Sequence, residues 1–211
     1  MRHKTTQTIA LVSLLIIITA TTPLSYAYDM PNTPDMRLTW NENEFMPSIA
    51  QANDGKMWVV WDSSRMGNNE IFYKVYDASK THPWSPDTRL TNDPNVDLTP
   101  SIMRASDGTL WVVWASNRSG NFDIYYNFYD GFSWSTDYRL TTDPNIDEYP
   151  SIMNALDGAI WVSWSSNRSG NFDIFYKISY DHGATWSPDT LFPQSVPEDI
   201  DGDPSMVQSL D

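Results

Sequence analysis

The chain has 211 residues, 27 acidic against 13 basic side chains, a formal charge of −14 and no cysteine. The missing thiols exclude disulfides and thiolate metal sites, and the acidity opposes binding to a nucleic-acid phosphate backbone. Ten Trp and an aromatic share of 14% favour a sheet protein over a helical bundle.

Arg2, His3 and Lys4 precede an apolar run from Ile9 to Ala20, and Ser25-Tyr26-Ala27 places small residues at −3 and −1 of a cleavage site. The run is shorter than the ~18 residues of a spanning helix. Residues 1–27 are therefore expected to be a signal peptide rather than a retained anchor, with no membrane span after cleavage. The mature chain, 28–211, would be secreted, extracellular or at the cell surface. Loss of Arg2 and Lys4 leaves 11 basic against 27 acidic residues, a charge of −16. Such a surface suits cation binding or solubility in a salty exterior.

The mature sequence repeats itself. Ser-Asn-Arg-Ser-Gly-Asn-Phe-Asp-Ile occurs at 116–124 and again at 166–174, with a looser copy at 63–71. Each copy follows a Trp pair: Trp58/Trp61, Trp111/Trp114 and Trp161/Trp164. Arg-Leu-Thr (37–39, 89–91, 139–141), Pro-Ser-Ile (47–49, 100–102, 150–152) and Asp-Gly (54–55, 107–108, 157–158) recur in register with them. The period is about 50 residues, the mark of solenoids, propellers or arrays.

Four short strands are expected in each unit. The first surrounds Pro-Ser-Ile, and Asp-Gly turns it back in a tight hairpin of the I′ kind. The second is Met57–Trp61, Leu110–Trp114 or Ile160–Trp164, apolar on both faces as a doubly packed sheet requires. The Arg/Gly loop leads into the third, Ile71–Tyr76, Ile124–Tyr129 or Ile174–Tyr180. The fourth is the weak run around Thr88–Leu90, Tyr138–Leu140 and Thr190–Phe192. Stacked four-stranded units predict an all-β fold, a β-propeller of antiparallel blades. A β-sandwich explains the strands but not the matching turns.

Three blades are complete, at about 41–91, 92–141 and 142–192, and 193–211 starts a fourth. Pro204-Ser205-Met206 restarts the first strand, and Asp211 falls where each Asp-Gly turn begins. Closed propellers need roughly four to eight blades, so the chain is expected to be a fragment of a longer protein rather than one of several short chains sharing a ring.

Arg-Leu-Thr, an acid three residues before Pro, Asp-Gly and Ser-Asn-Arg-Ser-Gly-Asn-x-Asp-Ile together resemble the TolB-like propeller repeat. Ser179-Tyr180-Asp181-His182-Gly183-Ala184-Thr185-Trp186 is similar to the Asp-box (BNR) motif of sialidase-like propellers at each motif position. Blades one and two keep only Asp77 with Trp84, and Asp130-Gly131 with Trp134. The resemblances cover 37–211. They imply the fold, and they imply that the Asp box is a structural hairpin on the face opposite the active site.

Residues repeated in every blade are expected to serve the blade; those that differ are the better functional candidates. The Arg/Gly loops lie on the face where propeller ligands gather. Arg118 with Asp123, Arg168 with Asp173 and Arg65 with Glu70 could clamp their loops, with Arg–carboxylate links interlocking neighbouring blades. Structural and ligand-binding roles both stay open for them. Arg104, Glu148 and Tyr149 are unique to one blade. As strand neighbours, Glu148 and Tyr149 should point to opposite faces, which opposes a nucleophile pair of the sialidase kind. The Trp pairs are expected to pack between blades. Asp199, Asp201 and Asp203 flank a Gly turn and could offer oxygens to Ca²⁺; no other cofactor is called for. The expected function is a secreted module that binds a glycan or an extracellular protein without catalysis in this segment. A sialidase-like glycoside hydrolase with an incomplete site, and a structural surface repeat, are the alternatives.

Overall fold

The structure, a computed structural model, describes residues 37–41, 43–193 and 202–208; the expected signal peptide lies outside them. No helix occurs among the described residues. Three four-stranded antiparallel sheets follow one another along the chain. Blade one is β1 (Glu44–Gln51), β2 (Met57–Ser63), β3 (Glu70–Tyr76) and β4 (Thr88–Arg89). Blade two is β5 (Asp97–Arg104), β6 (Leu110–Ser116), β7 (Asp123–Tyr129) and β8 (Tyr138–Arg139). Blade three is β9 (Asp147–Asn154), β10 (Ile160–Ser166), β11 (Asp173–Ser179) and β12 (Thr190–Leu191). The strands lie in chain order within each sheet, as expected of propeller blades, and the sheets do not close into a ring.

The Trp pairs explain how the blades stack. Side chains alternate across a strand, so an odd spacing of three puts the two tryptophans on opposite faces. On β6, Trp111, Val113 and Ala115 pack toward blade three with Ile152, Val162 and Trp164. Leu110, Val112 and Trp114 pack toward blade one with Trp58, Val60 and Ile71. All seven residues of β6 are buried. Trp58, Trp111, Trp114 and Trp164 thus pack between blades: Trp58 meets Tyr129 and Trp134 of the next blade at centroid distances of 5.0 and 5.9 Å, while Trp61 and Trp161 stack on Phe72 and Tyr176 of their own blades.

The inner strands are also joined by a repeated bond. The Ile102 N–H donates to Ser48 Oγ (3.1 Å), Ile152 N–H to Ser101 Oγ (3.4 Å), and Met206 N–H to Ser151 Oγ (3.3 Å). Pro204-Ser205-Met206 therefore sits against blade three as Pro100-Ser101-Ile102 and Pro150-Ser151-Ile152 sit against the blades before them, in the place of a next inner strand.

The Asp-Gly hairpins are not two-residue I′ turns. Only the glycine has positive φ (Gly55 82°, Gly108 93°, Gly158 86°), and Gly55 N–H donates to Ala52 O at 3.0 Å while Ala52 N–H donates to Lys56 O. That is a type I turn closed by a left-handed glycine, the three-residue hairpin.

Candidate functional site

The face at the second-to-third strand loops has an outer rim and an inner depression, built on different rules. In the rim, each loop arginine is held at all three guanidinium nitrogens. Arg118 Nη2 donates to Asp97 (2.8 Å), Nη1 to Asp137 (2.7 Å) and Nε to Ser116 Oγ (2.9 Å). Arg168 repeats this with Asp147 (2.8 Å), Asp189 (2.5 Å) and Ser166 Oγ (2.9 Å), and Arg65 with Glu44, Asp87 (2.7 Å) and Ser63 Oγ (3.1 Å). Each guanidinium also lies over a ring, Phe72, Tyr125 or Phe175, at 4.3, 4.7 and 4.5 Å from the centroid.

These partners correct the expected pairing. Arg118 does not pair with Asp123, nor Arg168 with Asp173, nor Arg65 with Glu70. Asp123 accepts instead from Arg139 (2.8 Å) and Ser119, and Glu70 from Arg89 and Thr91 Oγ1 (2.7 Å). Asp173 accepts from Ser169. The clamps also lie within one blade each rather than interlocking neighbours. Asp87, Asp137 and Asp189 went unremarked in the sequence, although each stands three residues after a late Trp.

Burial governs the charges. Asp97 is fully buried, and that desolvation pushes its carboxyl up despite the bonds from Ser116 and Arg118. Burial opposes the charge on Arg118 too, but its bonds to Asp137 and Asp97 hold its proton more firmly than usual. The clamp is therefore an assembled internal ion cluster, with no guanidinium nitrogen left over.

The inner depression is a cavity of about 270 Å³ lined by Met46, Thr99, Tyr149 and Asp203, with the proline that follows each. All four residues have left-handed backbones, φ 47°, 52°, 53° and 50°. A residue before proline is normally extended, and a β-branched residue such as Thr99 at positive φ is an outlier. The strand register slips at the same place, between Phe45 and Ser48, Leu98 and Ser101, and Ser163 and Ser165 on the strand facing Glu148. These are β-bulges, which re-aim a side chain and cluster beside functional sites.

The register shift interrupts strand alternation at Tyr149, and of the neighbours Glu148 and Tyr149 it is Tyr149 that lines the depression. The Tyr149 phenol is pushed up by burial and by the charges of Glu148 and Asp203. Glu148 is half-buried, and burial raises its carboxyl. Behind the depression, the buried Asp62 accepts Thr99 N–H (3.2 Å) and Asn69 Nδ2 (2.9 Å), and desolvation raises it as well. Sequence reasoning missed Asp62; its signal was a position that reads Asp62, Ala115, Ser165 across the blades. Thr99 Oγ1 is buried with no hydrogen-bond partner among the described residues.

Other candidates go elsewhere. Arg104 lies at the opposite end of its strand, where Nη1 donates to Asn53 Oδ1 (2.6 Å) of blade one. Asn154 and Gln208, at the matching positions, reach the preceding blade in the opposite sense, accepting the N–H groups of Ser106 and Leu156, so Arg104 holds a repeated structural position. In the 179–186 hairpin Asp181 accepts Thr185 N–H (2.8 Å) and Thr185 Oγ1 (2.6 Å), while Gly183 packs on Trp111. Of the calcium loop, Asp199 and Asp201 lie outside the described residues, and Asp203 lines the depression.

No protein-family model matches the chain, and no curated protein matches it in sequence. Solved structures share its fold. A Hadza microbial sialidase is 17% identical, with a TM-score of 0.56 over 68% of this chain and 36% of that one. The family 93 α-L-arabinofuranosidase of Fusarium graminearum, complexed with arabinobiose, is 12% identical, with a TM-score of 0.57 over 74% of this chain and 51% of that one. A family 117 glycoside hydrolase of Zobellia galactanivorans is 12% identical, with a TM-score of 0.53 over 74% of this chain and 58% of that one. The chain thus spans between about a third and three-fifths of these proteins. The likeness is one of fold, a sialidase-like propeller. No helix among the described residues is long and apolar enough to cross a membrane.

Proposed function

We propose that this segment is part of a secreted propeller that binds a glycan, with the sugar seated in the depression formed by Met46, Thr99, Tyr149 and Asp203. One observation carries the reading. Three inner strands and the segment at Asp203 hold their pre-proline residue at positive φ around one cavity, and those four residues differ while their surroundings repeat. A constant scaffold bearing variable side chains on strained bulges is how a binding site is placed on a rigid frame. The carbohydrate-active proteins that share the fold, and the leader expected at 1–27, support a sugar met outside the cell.

Calorimetric titration of the whole chain against immobilised-array hits tests this. Tyr149→Ala should weaken binding at least tenfold with the melting temperature little changed. Binding that survives Tyr149→Ala would move the ligand elsewhere; a protein ligand captured by the same face would favour the protein-binding alternative.

The hydrolase reading is favoured by a separate observation, the two blade-unique carboxyls Glu148 and Asp62, whose protons are held by burial. A raised carboxyl is what a general acid requires. Turnover of a chromogenic arabinoside or sialoside that vanishes in Glu148→Gln would establish it over simple binding.

A further inference from the structure

The charges around the depression sort one class of sugar from another. A carboxylate-bearing sugar is ordinarily received by a guanidinium able to offer two parallel N–H groups. On this face each loop arginine already has a carboxylate on both of its Nη atoms. Arg65, Arg118 and Arg168 each spend Nη1 and Nη2 on two different carboxylates and Nε on a serine hydroxyl. Their faces are covered by rings. Arg89 and Arg139 are likewise engaged by Glu70 and Asp123. Lys177 Nζ stands 2.9 Å from Asp189.

The lining itself carries the opposite sign. Asp203 stands in the cavity wall, and Glu148 and Asp203 are both near enough for their charges to act on the Tyr149 phenol. What the cavity does offer is hydroxyl chemistry, from Tyr149 and from Ser101, Ser151 and Ser205 of its lining, beside proline and methionine surface that suits the apolar face of a pyranose or furanose. Such a site gains from an uncharged polyol and loses from an anion, since like charges repel and the repulsion is screened by salt.

We infer that the depression takes neutral glycans and discriminates against sugars carrying a carboxylate, sialic and uronic acids included. This rests on the glycan reading above.

The test uses the full chain and matched ligands that differ in one charge: lactose against 3′-sialyllactose, and a galactan oligosaccharide against an oligogalacturonate of the same length. Isothermal titration at low and at moderate salt reads the difference. The neutral member of a pair should bind at least tenfold more tightly, and the gap should shrink as salt screens it. In the double variant Glu148→Gln/Asp203→Asn the gap between the members of each pair should narrow. An acidic member that binds as tightly as its neutral partner, or a gap that the double variant leaves unchanged, overturns the inference and leaves the glycan reading intact. If no member of either pair binds and a wider neutral array is also blank, the glycan reading itself falls, and the inference with it.

Discussion

The rim and the depression lie on one face and are made from adjoining residues of the same strands, yet they obey opposite rules. In the rim, Asp97 and Asp147 repeat the same three-nitrogen clamp, and Glu44 does so with a longer side chain. Two residues further along, Met46, Thr99, Tyr149 and Asp203 share a backbone and nothing else. Where the side chains are fixed, polar atoms are consumed internally; where the backbone is fixed, they are left facing a cavity. The sheet keeps its integrity in the first set and can vary its chemistry in the second.

This contrast can be broken most forcefully at the rim. Arg118→Ala would strand the fully buried Asp97 without its counter-ion, a loss expected to cost about 3–5 kcal/mol. Urea denaturation should show that loss, and calorimetry should show residual glycan binding in whatever protein still folds. Full stability with loss of ligand would make the rim a binding site and reverse the division drawn here.

At the depression the expected sign is different. Tyr149 has φ 53°, where a side chain costs about 1–2 kcal/mol that glycine avoids. Tyr149→Gly should therefore be no less stable than the wild type, gaining up to ~1 kcal/mol after its extra chain entropy is counted, while losing its ligand. A large destabilisation would mean that the bulge is held by the ring rather than by the frame.

The smallest effects are in pH. Asp87 in the rim is partly buried, but its bonds to Lys74 and Arg65 outweigh that and lower its carboxyl from 3.8. A depressed folded value means that its stabilisation is present above 3.8 and is lost as pH falls through the lower folded value. Asp87→Asn and wild type should thus converge in melting temperature in that acid range. Glu148 is raised from 4.5 by burial. Its contribution is complete below 4.5 and is lost as pH rises to the higher folded value, so Glu148→Gln should gain on wild type from 4.5 upward and level off above the folded value. Thermal melts across pH 3–8 read both, and parallel profiles would erase the contrast.

The fold was legible because each blade is spelled in the same letters, and because Trp-x-x-Trp can satisfy two neighbours at once. The clamps were half legible. The arginines were identified, but they were paired with acids five residues away, whereas the bonded ones lie 21 residues back and 19 to 22 onward. Sequence proximity misled because a loop arginine reaches across the sheet rather than along its own turn. The depression was hidden for a firmer reason. A left-handed residue before proline runs against the local preference, and tertiary packing imposes it on Met, Thr, Tyr and Asp alike. Glu148 and Tyr149 stand out because they break the repeat, and Tyr149 sits where the strand register shifts.

The serine-to-amide bonds between inner strands give the blades an order of dependence. Each hydroxyl accepts from the blade that follows it, and each blade's apolar core is shared only with its immediate neighbours. Coupling that reaches no further than the next unit behaves as a one-dimensional chain, in which stability is a sum of unit and neighbour contributions. Blade two, flanked on both sides, would then exchange its amide hydrogens last, with β6 slowest. The exposed inner strand β1 would open first, so that loosening travels inward from the flanks instead of striking all three blades together.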